Sequence, residues 1–73
     1  MVQSFTAIIE REDNWFVALC PEMDIASQGE SVSEARSNLE EALSLFFETA
    51  SESEIKRRLH TEVYVTQLAI AIG

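Results

Sequence analysis

The chain divides into three blocks by the period of its apolar positions. From about Ser4 to Arg11 the sidedness alternates: Phe5, Ala7 and Ile9 point one way, Thr6, Ile8 and Glu10 the other. A period of two is that of a strand. Glu12-Asp13-Asn14 follows as a polar turn, and Asn14 tolerates the left-handed angles of a tight hairpin. Trp15 to Cys20 is apolar at every position, which predicts a second strand with both faces at least partly covered. Pro21 lacks an N–H and ends its pairing. A third, shorter strand of mixed composition is expected over about Ile25 to Gln28, at an edge.

The period then changes. Val32, Ala35, Leu39, Ala42, Leu43, Phe46 and Ala50 recur at steps of three and four, one face of a helix. Ser33, Arg36, Ser37, Glu40, Glu41 and Ser44 form the other face. Ser31-Val32-Ser33-Glu34 is a capping box: the Ser31 hydroxyl accepts the Glu34 N–H and the Glu34 carboxylate reaches back. Gly29 supplies the sharp entry into the helix. Ser51 to Glu54 repeats the box and predicts a short second helix, acidic at its start and carrying Lys56, Arg57 and Arg58 at its end, as the helix dipole favours. From Glu62 to Ile72 the period of two returns. Tyr64, Thr66, Leu68, Ile70 and Ile72 lie on one side; Val63, Val65, Gln67, Ala69 and Ala71 lie on the other. The expected fold class is α+β: a small βββαβ sheet with one or two helices on one face. The other sheet face is left to solvent or to a second subunit.

At 73 residues the chain is one domain, 1–73. A core this small is marginal, and oligomerisation is the usual remedy. Phe16, Leu68, Ile70 and Ile72 are the expected interface residues, since the second strand is apolar on both faces and the terminal strand ends in Leu68-Ala69-Ile70-Ala71-Ile72 with no charge to discourage edge pairing. With 13 acidic residues against 5 basic ones, the net charge is −8. That excludes a nucleic-acid-binding surface for this chain alone and favours a basic partner. Residues 1–30 and 31–54 each hold six acids and one base, and 55–73 hold three bases and one acid. Lys56-Arg57-Arg58 is too short a run for a nucleic-acid patch.

The N-terminus has no basic region followed by an apolar run, so no signal peptide is expected. No apolar stretch approaches the roughly 20 residues of a membrane span. Cys20 is the single cysteine, which rules out an internal disulfide and fits a reducing cytoplasm. Set in an apolar strand beside Pro21 and Glu22, Cys20 reads as a small hydrophobe rather than a nucleophile. His60, the one histidine, lacks fellow ligands by spacing and reads as a helix-end residue. No phosphate loop, CxxC pair or Ser/His/Asp grouping occurs. Glu10, Asp13 and Glu34 with a divalent metal would be the set for a minimal nuclease, but such a site needs carboxylates converging from strand centres. No cofactor and no metal are expected, and an enzyme is not.

Four runs in order carry a resemblance. They are Phe5-Thr6-Ala7-Ile8-Ile9-Glu10, Trp15 to Glu22 with its Ala18, Pro21 and Glu22, Ser27-Gln28-Gly29-Glu30-Ser31, and Ser33 to Ala42. Together they resemble the HicB family of antitoxins and HicB-like proteins, closely over residues 5–47 and in element order beyond. The resemblance implies a partial ribonuclease-H-like fold. Its fold-specifying positions are Trp15, Pro21, Gly29, Ser31, Glu34, Ala35, Leu39 and Ala42. It further implies a non-enzymatic protein that neutralises a small basic RNA-cleaving toxin, HicA-like, by covering it. Opposite fields would speed that encounter, and Glu10, Asp13, Glu22, Asp24 and Glu30 are the candidate contacts. Many family antitoxins continue into a DNA-binding domain. None is expected within 1–73, so operator binding is not carried over. The alternative is a stand-alone regulatory or structural oligomer with another protein partner.

Overall fold

The computed structural model describes residues 2–73. Three strands come first: β1 (Ile8–Glu12), β2 (Trp15–Cys20) and β3 (Ile25–Gly29). Two helices follow, α1 (Val32–Thr49) and α2 (Glu52–Arg58). The strands form one antiparallel sheet in the order β1-β2-β3. The chain is therefore a small α+β domain of βββαα order.

Register sorts the side chains into two faces. Ile8 pairs with Leu19, Glu10 with Val17 and Glu12 with Trp15, while Leu19 pairs with Ala26 and Val17 with Gln28. The intervening rows are Ile9–Ala18–Ser27 and Arg11–Phe16–Gly29. The second set faces α1. Ala18, Cys20, Met23, Ala35 and Leu39 are the buried core, with Phe5, Ile9, Phe16, Ile25, Leu43, Phe46, Phe47 and Leu59 packed around it. Phe16 thus belongs to the helix side, with the Arg11 guanidinium over its ring at 5.5 Å. This corrects its assignment to an outer interface: in β2 the outward positions are Trp15, Val17 and Leu19. Apolar composition on both faces of a strand cannot reveal which face the helix takes; only the hairpin register does.

β1 starts later than its alternation predicts. Continued past Ile8, the ladder would set Ala7 opposite Cys20 and Thr6 opposite Pro21, which has no N–H to give. The Thr6 N–H goes instead to the Glu22 carboxylate at 3.0 Å, and its hydroxyl goes to the other carboxylate oxygen. In the β1–β2 turn it is Asp13, at φ 53°, that takes the left-handed conformation expected of Asn14. Asp24 does the same at φ 55° before β3.

The hydroxyl half of each capping box forms. The Ser31 hydroxyl accepts from the Glu34 N–H at 3.0 Å, and the Ser51 hydroxyl accepts from the Glu54 N–H at 3.2 Å. The Glu34 carboxylate passes over Ser31 and accepts from the Glu30 N–H at 3.2 Å. Gly29 is needed for contact rather than for its angles. A Cβ there would stand 2.5 Å from the Ala35 nitrogen and 2.8 Å from the Glu34 carbonyl carbon. The first turn of α1 rests directly on the end of β3. Ala35 and Leu39 are buried beneath that helix. Val32, assigned by period to the same face, is half exposed because it lies in the capping turn ahead of the contact.

α2 docks through its last residue. Arg58 donates to the Met23 carbonyl at 3.3 Å and to the Asp24 carbonyl at 3.0 Å, and its guanidinium lies 5.3 Å from the Phe46 ring centre. The His60 N–H then donates to the Glu22 carbonyl at 2.7 Å. From Glu62 to Ile72 no strand forms, so the fourth strand expected there is corrected. The segment has no ladder partner among the described residues, and Tyr64, Leu68, Ile70 and Ile72 are exposed. Alternation specifies a side chain's sidedness; a strand also requires a neighbour whose backbone groups are free.

Candidate functional site

The helices cover one side of the sheet and leave the other open. On the open side Ile8, Trp15 and Leu19 keep 39%, 46% and 36% of their surface exposed. Cross-strand pairing places Leu19 between Ile8 and Ala26, and Val17 between Glu10 and Gln28. The result is an apolar strip along β2 with Glu10 and Glu12 on its β1 flank. Neither acid is joined there by the adjacent cation: Arg11 belongs to the opposite face, stacked on Phe16, and its Nε donates to the Asp13 carbonyl at 3.2 Å. This strip, apolar along β2 and acidic along β1, is the candidate contact surface.

The candidate contacts separate by place. Glu10 lies on the open face and Asp13 in the turn at its end. Asp24 and Glu30 are exposed in the connections before and after β3. Glu22 is engaged inside the fold. Its carboxylate accepts both Thr6 donors, and the Cys20 Sγ lies 3.4 Å away. Burial alone would raise the Glu22 carboxyl, but the Thr6 hydroxyl and amide outweigh it and hold it below the usual range. Cys20 moves the other way. Burial pushes its thiol up, and the Glu22 carboxylate adds to the effect, which suppresses the nucleophilic thiolate.

Glu10, Asp13 and Glu34 are not brought together. Glu10 is on the open face, whereas Glu34 is in the first turn of α1 on the helix side, turned toward Glu30. Among the described residues, no three His, Cys, Asp or Glu side chains gather as a metal would need. The His60 side chain is exposed, and its backbone N–H carries its one described contact. Among the described residues no helix is long and apolar enough to cross a membrane.

Glu12, Val17 and Leu19 join the site without having been singled out from sequence. Their signal was the turn: once Asp13-Asn14 fixes the hairpin, Glu12, Trp15, Val17 and Leu19 must share a face. The fold and this surface define a small α+β domain with one helix-covered and one open sheet face. No family model, no curated protein and no solved structure matches the chain.

Proposed function

We propose that this chain is a non-enzymatic protein-binding module of the antitoxin type, whose partner is a small basic RNA-cleaving protein, HicA-like. The observation that carries the reading is the open sheet face, where Ile8, Trp15 and Leu19 stand exposed beside Glu10 and Glu12. Apolar area supplies the affinity of such a contact, and the acidic flank selects a cationic partner and speeds its approach. The net charge of −8 acts in the same direction. The order of motifs from Phe5 to Ala42, similar to that of HicB-like antitoxins, adds the identity of the partner class.

Co-expression with a small basic ribonuclease encoded beside this chain's gene tests the reading. Growth and RNA integrity should be restored by the native chain. They should not be restored by Trp15→Glu or by the Glu10→Lys, Glu12→Lys pair, although both variants keep the far-ultraviolet spectrum. Glu10 and Glu12 are exposed and Trp15 is half-exposed, so the spectrum and the melting temperature of each variant are read beside rescue. Full rescue by both variants would remove the open face from the reading. Cleavage of RNA by the purified chain with Mg²⁺ or Mn²⁺ would overturn the module itself.

A further inference from the structure

The segment from Glu62 to Ile72 has the side-chain order of a strand and no ladder partner among the described residues of its own chain. Tyr64, Leu68, Ile70 and Ile72 are 83%, 81%, 70% and 96% exposed. The molecule is long, 49 Å in its greatest dimension. The radius of gyration is 14.2 Å, against about 11 Å for a compact chain of this length. The accessible surface is 6084 Å², roughly 1,500 Å² above that of a folded monomer of this mass. Two such chains together carry an excess of roughly 3,000 Å², within the range that obligate homodimers remove from water.

The sheet offers a place for such a strand. Along β3 the edge is partly engaged, because Asn38 Nδ2 donates to the Gln28 carbonyl at 2.8 Å. Among the described residues β1 pairs with β2 alone, which leaves its outer edge free. Between α1 and residues 2–7, the segment that leads into β1, runs a groove of about 370 Å³ whose apolar lining includes Val2, Phe5, Leu39, Leu43 and Phe47. A strand laid on β1 and continued along residues 2–7 would turn one of its rows toward this groove and its other row onto the open face. The row of Tyr64, Thr66, Leu68, Ile70 and Ile72 has the bulk for the groove. The row of Val63, Val65, Gln67, Ala69 and Ala71 would widen the open face next to Ile8.

We propose that the occupant is a second copy of this chain: residues 62–72 of each protomer form the fourth strand of its partner's sheet, along β1. Two features favour a second copy over a foreign strand. Glu62 is the one charged residue of the segment, so an acidic body can receive it without like-charge repulsion along its length. The same chain also supplies both halves of the contact, the unpaired apolar strand and the free edge with its groove, so a two-fold exchange satisfies both at once. The inference stands whether or not a toxin partner exists.

Analytical ultracentrifugation of the full chain at micromolar concentration should give twice the protomer mass of 8.2 kDa. Leu68→Lys with Ile70→Lys should weaken the dimer at least tenfold while α1 and α2 keep their far-ultraviolet signal, since neither residue is buried in the protomer. A mixed sample of isotope-labelled and unlabelled wild-type chains keeps the proposal falsifiable if that variant fails to fold. Filtered NOE spectra should connect Leu68 and Ile70 methyls of one copy to Phe5 and Phe47 rings of the other. A monomer, contacts of the segment with its own β1 only, or a dimer joined elsewhere with residues 62–72 free would each overturn the proposal.

Discussion

Glu22 illustrates how one side chain can be diverted from surface chemistry to architecture. Its carboxylate accepts two donors from Thr6, and its carbonyl accepts the His60 N–H. Because the folded carboxyl is held below its unfolded value, its contribution is present above the unfolded pKa and is lost as pH falls through the lower folded one. The native chain should therefore lose stability below about pH 4.3 more steeply than Glu22→Gln, whose amide does not titrate. At neutral pH the variant should be weaker by about 1–2 kcal/mol, the scale of hydrogen bonds to a charged acceptor. Urea titrations across pH measure both effects. Parallel pH profiles for the two proteins would show that Thr6 does not hold the ionised carboxylate.

Among the elements, α1 decides most of the packing, and its contact with the sheet is narrow. Leu39→Ala should cost roughly 2–5 kcal/mol by opening a cavity, and Val32→Ala, at an exposed position, under about 0.5 kcal/mol. Gly29→Ala should cost about 1–3 kcal/mol, because its added methyl meets backbone atoms of α1 that cannot rotate away. Denaturant midpoints rank the three, and equal losses for Val32→Ala and Leu39→Ala would show that the helix sits in a different rotation.

The same helix shows how far local pattern reaches. Its start at Ser31 and its buried Ala35 and Leu39 follow from capping chemistry and period. β2, the edge position of β3 and the short second helix were legible for similarly local reasons. What local pattern could not supply was anything set by a neighbour. Met23 is fully buried in a loop that Arg58 closes from 35 residues away, and no periodicity marks a loop residue as core. Gly29 was legible as necessary, but its reason, the approach of Ala35, needs the third dimension. The open-face site was half visible: Glu10 and Trp15 stood out, while their company with Val17 and Leu19 awaited the register.

At the scale of the whole molecule, Glu22 is a knot between parts of the chain that are remote in sequence. The Thr6 amide, before β1, and the His60 amide, after α2, both end on this one residue. Neither lies inside a ladder or a helix, so neither would ordinarily be shielded from solvent deuterium for long. Their common anchor joins them into a single opening unit, since a shift of the Glu22 backbone carries away both the carbonyl that holds His60 and the carboxylate that holds Thr6. Hydrogen exchange should find the Thr6 and His60 amides opening with nearly equal free energies, and Glu22→Gln should lower both together. Independent behaviour of the two amides would mean that the ends of this small domain open separately.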